Sequence, residues 1–480
     1  MGESSADYFY NDLRDWIKKA EEIGELKYVD GASCELEIGT LTDLVCHSAR
    51  RGSVLFRNIP GDPSDFGVVI NTLGAVKRLA MVIGVKAETT RELVEACGRR
   101  IAELKPIPPR YVDQGPVLEN QYTGEEVDIR KFPAPLWHPK DGGRYLGTGS
   151  VTITRDPDQG WVNLGTYRVM VVGKDRIGFY VSPGKHGRIH REKYFAKGEP
   201  CPVAVSFGHD PLLLFVGSFE WPFGQSEYDV AGGFKGRPID VIQGKHTGLP
   251  FPAHAEVVIE GEAVADERSE EGPFGEWTGY YASGMRQEVT VRIKAIYHRN
   301  GPIILGAPAL KPPNGNTFVN SVIRSAKLKQ DLRASGVSDV VDVWFPEEGG
   351  SRFLCVVSLR QRYPGHAKQV GLLALGNPSS AYMGRYVILV DEDVDVANNS
   401  DVLWALSTRT DPVRSIDVIR RLWSGPLDPI MTKEDGGFSS RAIIDACRPF
   451  ERISTFPPAI ETDHETARKV REKWGHVIDG

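Results

Sequence analysis

Six cysteines in 480 residues are few, and no two of them form a C-x-x-C pair. Cys34, Cys46, Cys97, Cys201, Cys355 and Cys447 are scattered along the chain. This excludes a disulfide framework and a thiolate zinc site. It points instead to a reducing compartment, the cytoplasm, with the thiols serving as small buried hydrophobes. Long apolar runs are also missing, so no membrane span is expected. The first 26 residues lack a basic head followed by an apolar stretch, so they are not a signal peptide. Met1-Gly2 begins like an acylation signal, but Ala6 stands where that signal needs a hydroxyl. There is no excess of positive charge. A net charge of −6 argues against nucleic acid or an anionic membrane surface as a partner. Walker A, G-x-S-x-G and H-E-x-x-H motifs, a strand-flanked G-x-G-x-x-G, internal repeats and low-complexity tracts are all lacking.

What remains is ordinary globular material, with 41% hydrophobic and 25% charged residues, in a chain long enough for two to four domains. Residues 6–27 carry Tyr10, Leu13, Ile17, Ala20 and Ile23 at helical spacing, which predicts an amphipathic helix. GSVLFRNIPG (52–61) predicts a strand and turn, and 89–104 a second helix. The proline-rich LKPIPPRYVDQGP (104–116) suggests a boundary. From 117 to 305, alternating runs separated by turns such as DPDQG predict many short strands, among them PVAVSFG and DPLLLFVGS, in a closed or nearly closed barrel. A helix is expected near 319–335. DVVDVWF, FLCVVSLR and YVILVDEDVDV then alternate with helical stretches, a βαβ rhythm over 336–425. The tail, 440–475, is polar and is expected to wrap another domain or subunit.

Four clusters in the barrel region carry chemistry. WVNLGTYRVMV (161–171) holds Asn163, Thr166 and Arg168; strand alternation separates Asn163 from the other two unless the chain bulges at Gly165. SPGKHGRIHREKY (182–194) is a turn with Lys185, His186, Arg188 and His190, and FEWPFGQSEYDVAGG (219–233) is a loop with Glu227. EGPFGE sets Glu271 and Glu276 around a rigid turn, so that residues five apart can face one pocket. An Asn oxygen, a His nitrogen and a Glu carboxylate suit Mn²⁺ or Mg²⁺ beside a phosphate better than a zinc site. A buried Arg168 needs a carboxylate partner, and spacing alone does not say which.

Together these blocks resemble the UbiD family of reversible decarboxylases, which use prenylated FMN. DLRDWIKKAEEIGEL, KFPAPLWHPKDGGRYLGTG, the five-residue step from Asn163 to Arg168, SPGKHGR, SEYDVAGG, EGPFGE and VILVDEDVDVANNSDVLWALSTR match it in order over nearly the whole chain. The resemblance implies a multidomain α/β protein. Residues 1–115 would be an N-terminal α/β domain and 116–310 a flavin-binding split β-barrel. A linker helix (311–335) would lead to a C-terminal α/β domain with an oligomerisation tail (336–480).

By the same resemblance, Asn163, His186 and Glu227 hold Mn²⁺ or Mg²⁺, while Thr166, Tyr167, Arg168 and Lys185 also contact the cofactor. Backbone carbonyls of Trp161, Val216, Gly217 and Phe219 correspond to a K⁺ site of some relatives. Arg168 and Glu271 form a buried ion pair, and Glu276 donates the proton. The substrate implied is an aromatic, heteroaromatic or α,β-unsaturated acid, with prenylated FMN as electrophile and electron sink. A flavin prenyltransferase supplies that cofactor, and the chain assembles as a homodimer or homohexamer. Two departures stand out: Lys185 where some relatives have Gln, and Trp277 where several have smaller residues. An FMN oxidoreductase on a split barrel and a subunit of a carboxylase complex are the alternative readings.

Overall fold

The computed structural model describes residues 10–478 apart from 220, 338 and 461. The acylation-like start and residues 6–9 of the expected first helix lie outside them. That helix runs over Leu13–Glu22, capped by Asp12, with Leu13, Trp16, Ile17 and Ala20 buried. It packs beside a four-stranded sheet of Leu26–Asp30, Ser53–Arg57, Gly67–Ile70 and Ile303–Gly306. The last of these strands comes from more than 200 residues downstream, because the chain returns to the first sheet after completing the second.

The central sheet has seven strands, all antiparallel to their neighbours: Asn120–Thr123, Val151–Arg155, Val162–Gly165, Arg176–Gly178, Cys201–Phe207, Val257–Glu271 and Arg286–His298. It curls into a half-barrel that does not close. Register breaks near Gly261 and between Ala263 and Arg268 bend the long hairpin. One expected strand is a helix. DPLLLFVGS folds as Pro211–Gly217, with Asp210 accepting the Leu212 amide and Pro211 in the first turn. Its apolar residues are buried all round, so no periodicity betrayed it.

The third sheet mixes directions in the order Val340–Trp344, Leu354–Leu359, Tyr386–Asp391, Phe438–Asp445, Ile416–Trp423. The middle three strands are parallel and cross over through helices such as His366–Gly376 and Asn399–Arg409, as the βαβ rhythm predicts. Part of the polar tail is therefore a strand inside this sheet, with Ile443 fully buried. The remainder includes the helix His464–Ile478. Between the second and third sheets runs Gly315–Ala334, opened by a reciprocal cap between Asn314 and Thr317. It lies against Thr90–Ala102, where Gln330 donates to the Gly98 carbonyl at 2.6 Å. Its first turn thereby faces the open side of the half-barrel. All six cysteines are free and buried.

Candidate active site

Arg168 organises the site. The strand Val162–Gly165 ends at Gly165 and pairing resumes only at Val169, so residues 166–168 escape strand alternation. Gly165 leaves no room for a side chain, since a Cβ there would lie 2.3 Å from the Tyr167 ring. The break turns Arg168 inward. Its Nε and Nη2 donate to the two oxygens of Glu271, each at 2.7 Å, and its Nη1 donates to Glu276 at 3.1 Å. The three side chains are 9%, 2% and 15% exposed. Burial works against the arginine's charge, but its bonds to Glu271 outweigh this and hold its pKa above the usual value.

The two glutamates are unequal. Glu271 ends the strand Val257–Glu271, receives the bidentate pair and accepts a third bond from the Tyr145 hydroxyl at 3.1 Å. Glu276 follows the turn, where Gly272 takes a positive φ of 81°, and has one single-point contact with the arginine. Its backbone is pinned by bonds to Tyr280 and Gly279. Burial raises the Glu276 pKa; Arg168 and Arg286 oppose that, and Glu271 reinforces it. Two carboxyls in different surroundings divide the roles, and Glu276 is the one that burial pushes toward its protonated form.

Glu276 lines a cavity of about 270 Å³ with Thr166, Tyr167, Arg168 and Lys185. Tyr180, Phe274 and Trp277 give it flat walls, and Asn316, Asn320 and Arg352 close it from the linker helix and the C-terminal domain. Trp277 also leans on that domain. It stacks on Phe353 at 5.3 Å, and Arg352 lies over its ring at 5.3 Å.

A second cavity of about 190 Å³ shares Thr166, Tyr167, Lys185 and Ser218 with the first, so the two adjoin. Asn163, His186 and Glu227 line it. The sequence suggested a turn and a loop here; instead both segments start helices. His186 opens His186–Ala196, and Glu227 opens Glu227–Lys235 behind Ser226, whose hydroxyl accepts the Tyr228 amide. Two helix N-termini at one cavity favour an anion. Asn163 is 2% exposed and its amide nitrogen has no hydrogen-bond partner. Glu227 is equally buried, and its carboxylate accepts the Leu164 amide at 2.7 Å. Burial pushes its carboxyl up to about 8. A buried carboxyl fits a hard divalent cation, which Asn163 would meet through its amide oxygen and not through the unpartnered nitrogen. Among the described residues, no three His, Cys, Asp or Glu side chains are grouped so that they could hold a metal ion. The carbonyls of Val216 and Gly217 already accept from Trp221 and Thr166.

Of the expected catalytic, metal-holding and cofactor-contacting side chains, all except Glu271 thus line one of two joined cavities, and Glu271 stands behind Arg168; of the expected K⁺ ligands, Gly217 and Phe219 line the second cavity while Trp161 and Val216 line neither. Tyr145, Tyr180, Arg286, Asn316, Asn320 and Arg352 were not anticipated. Tyr145 lies inside a recognised block, and Arg286 sits directly opposite Glu271 in the hairpin. Arg352 arrives from another domain, for which local sequence carries no signal.

A buried glutamate pair bridged by arginine, beside a cavity at two helix N-termini, is an arrangement suited to acid–base chemistry. Comparison with known proteins specifies it. Models of the 3-octaprenyl-4-hydroxybenzoate carboxy-lyase N-terminal, Rift-related and C-terminal domains match residues 17–97, 110–312 and 317–446. The phenolic acid decarboxylase of Bacillus subtilis is 33% identical over 92% of this chain and 93% of its own. Vanillic acid decarboxylase of Sedimentibacter hydroxybenzoicus is 29% identical, covering 98% of this chain and 100% of that one. Its open form superposes with a TM-score of 0.84, its closed form with 0.77. An evolved dimeric form of the UbiD-class enzyme HmfF from Pelotomaculum thermopropionicum, in complex with prenylated FMN, is 26% identical over 95% and 98% of the two chains, with a TM-score of 0.81. The chain belongs to the UbiD family and is a decarboxylase of that class.

Proposed function

We propose that this protein is a reversible, non-oxidative decarboxylase of an aromatic, heteroaromatic or α,β-unsaturated carboxylic acid, acting with prenylated FMN and a divalent metal. The observation that carries this reading is Glu276: a buried carboxyl, loosely held by an arginine that Glu271 already neutralises, facing a flat-walled cavity joined to a phosphate-type cradle. The names of the phenolic and vanillic acid decarboxylases support an aromatic acid, and the HmfF complex supports the cofactor.

Asn163, His186 and Glu227 would hold Mn²⁺ or Mg²⁺, and the two helix N-termini and Lys185 would hold the cofactor phosphate. Carbonyls of Trp161, Val216, Gly217 and Phe219 are the candidate K⁺ ligands. Bound prenylated FMN supplies an electrophile and a sink for the electrons released with CO₂. The chain's own part is positional. Tyr180, Phe274 and Trp277 hold the substrate ring flat and exclude water. Arg168, locked by Glu271, orients Glu276. Glu276 delivers its proton to the carbon that loses CO₂ and regains one from solvent. In reverse, it removes that proton before carboxylation. A flavin prenyltransferase supplies the cofactor in the cytoplasm, where free thiols persist. Exposed Val418 and Trp423 on the edge strand of the third sheet, with exposed Phe438 on the strand beside it, support assembly into dimers or dimer-based hexamers.

Co-expression with a flavin prenyltransferase tests the reading. Purified protein is expected to carry a flavin heavier than FMN and to release CO₂ from aryl or cinnamic-type acids. Glu276→Gln is expected to abolish turnover while retaining the flavin. Ordinary FMN with hydride transfer would make it an oxidoreductase. Activity that appears only with added subunits would make it part of a carboxylase complex.

A further inference from the structure

Arg286 has no role in the mechanism above, yet it is built into the same cluster. It opens the strand Arg286–His298 directly across from Glu271. Its Nε is buried without a hydrogen-bond partner, 3.8 Å from a Glu271 oxygen and 3.7 Å from Glu288. Nη2 donates to the Ser283 hydroxyl at 2.9 Å. Its guanidinium carbon lies 3.9 Å from the centre of the Tyr180 ring, and that of Arg168 lies 4.6 Å from the same centre. One aromatic ring in the cavity wall therefore serves both arginines.

Charge balance shows what the second arginine does. Glu271, Glu276 and Arg168, all ionised, leave one uncompensated negative charge in a buried site, which is costly. Arg286 cancels it. The charged groups facing Glu276 are Arg168, Arg286 and Glu271, and Lys185 and Arg352 also line the cavity. Glu288 takes part of the field of Arg286.

We propose that Arg286, held in place by Tyr180, is a positioning residue that completes the ion-pair cluster of Arg168, Glu271 and Glu276. It acts through space on the carboxyl and does not touch substrate. The consequence is a proton donor that recharges and discharges in each direction of the reaction, where Arg168 alone would leave Glu276 protonated to higher pH. The inference rests on Glu276 being the donor, so its test measures protonation apart from turnover.

The protein is purified after co-expression with a flavin prenyltransferase. Its protonated-carboxyl infrared band, assigned to Glu276 by its loss in Glu276→Gln, is titrated against pH. Arg286→Gln is expected to move the midpoint upward by about half a pH unit or more, the size expected for removing one partly screened charge. Arg286→Lys keeps the charge and is expected to stay close to the parent. Tyr180→Leu loosens the arginine and is expected to shift the midpoint the same way by less; it carries the test if Arg286→Gln fails to fold. The high-pH limb of turnover should follow the infrared midpoint. Superimposable titrations in the parent, Arg286→Gln and Tyr180→Leu proteins would overturn the proposal. A midpoint that moves while the turnover limb stays fixed would uphold Arg286's effect and remove Glu276 from the donor role.

Discussion

Breaking the pair between Arg168 and Glu271 should cost far more than breaking a surface salt bridge. Both side chains are less than a tenth exposed, and the contact is bidentate at 2.7 Å. An exposed pair contributes ~0–1 kcal/mol, whereas removing one partner of a buried pair costs about 3–5 kcal/mol because the other charge is stranded. For Arg168→Met the lower end applies, about 3 kcal/mol, since Glu271 keeps the Tyr145 hydroxyl and has Arg286 at 3.8 Å. Glu271→Gln should cost less, as Arg168 retains Glu276 at 3.1 Å. In the double variant Glu271 is no longer a stranded charge, and Glu276 loses only the contact it already loses in Arg168→Met, so the cost should fall short of the sum by roughly 2 kcal/mol. Native-state hydrogen exchange in the strands Val257–Glu271 and Arg286–His298 measures this locally, and about 3 kcal/mol appears as a roughly 150-fold rise in the opening constant. A coupling below about 0.5 kcal/mol would refute the argument, because distant, independent sites add to within that range.

Asp156 carries a pH prediction. It is buried and accepts from Lys193 at 2.7 Å and from the amides of Asp158 and Gln159 at 2.8 and 3.0 Å. Burial alone would raise its pKa, but these donors hold it down at about 2. A depressed carboxyl stabilises the fold above its unfolded pKa and ceases to do so as pH falls through the folded one. Asp156→Asn should therefore be about 2 kcal/mol less stable near neutrality, and the gap should close between about pH 4 and about pH 2. Denaturation curves that keep a constant gap over that range would assign the effect to packing. Trp277→Ala removes the stack on Phe353 and the Arg352 contact, worth roughly 1–2 kcal/mol together. It should raise KM without releasing the flavin, and an unchanged KM would show that the indole does not shape the pocket.

The sequence pointed to its candidate site residues better than to its local structure. Asn163, Arg168, His186, Glu227, Glu271 and Glu276 were legible because their residue types are rare in their settings and their blocks fall in a recognisable order. Helices at 186 and 227 were missed because glycine and proline sit just before them, and these residues signal turns until the cap that follows is seen. The helix Pro211–Gly217 was missed because a fully buried element has no polar face to set a period. The strand Phe438–Asp445 was taken for tail because its first half is polar, and only insertion between two other strands explains its buried end.

By itself, the sequence determined which residues could carry acid–base and metal chemistry, and that a turn must separate Glu271 from Glu276, because a regular strand cannot aim residues five apart at one place. Which glutamate holds the arginine and which stays loose was decided only in three dimensions. That depends on Tyr145, Tyr180 and Arg286, brought beside Glu271 and Arg168 by strand register and by the break at Gly165. The lining of the substrate cavity was decided there too, since Asn316, Asn320 and Arg352 reach it from the linker helix and a separate domain. Side-chain chemistry is local to the residue, whereas burial and electric field are properties of what the fold packs around it.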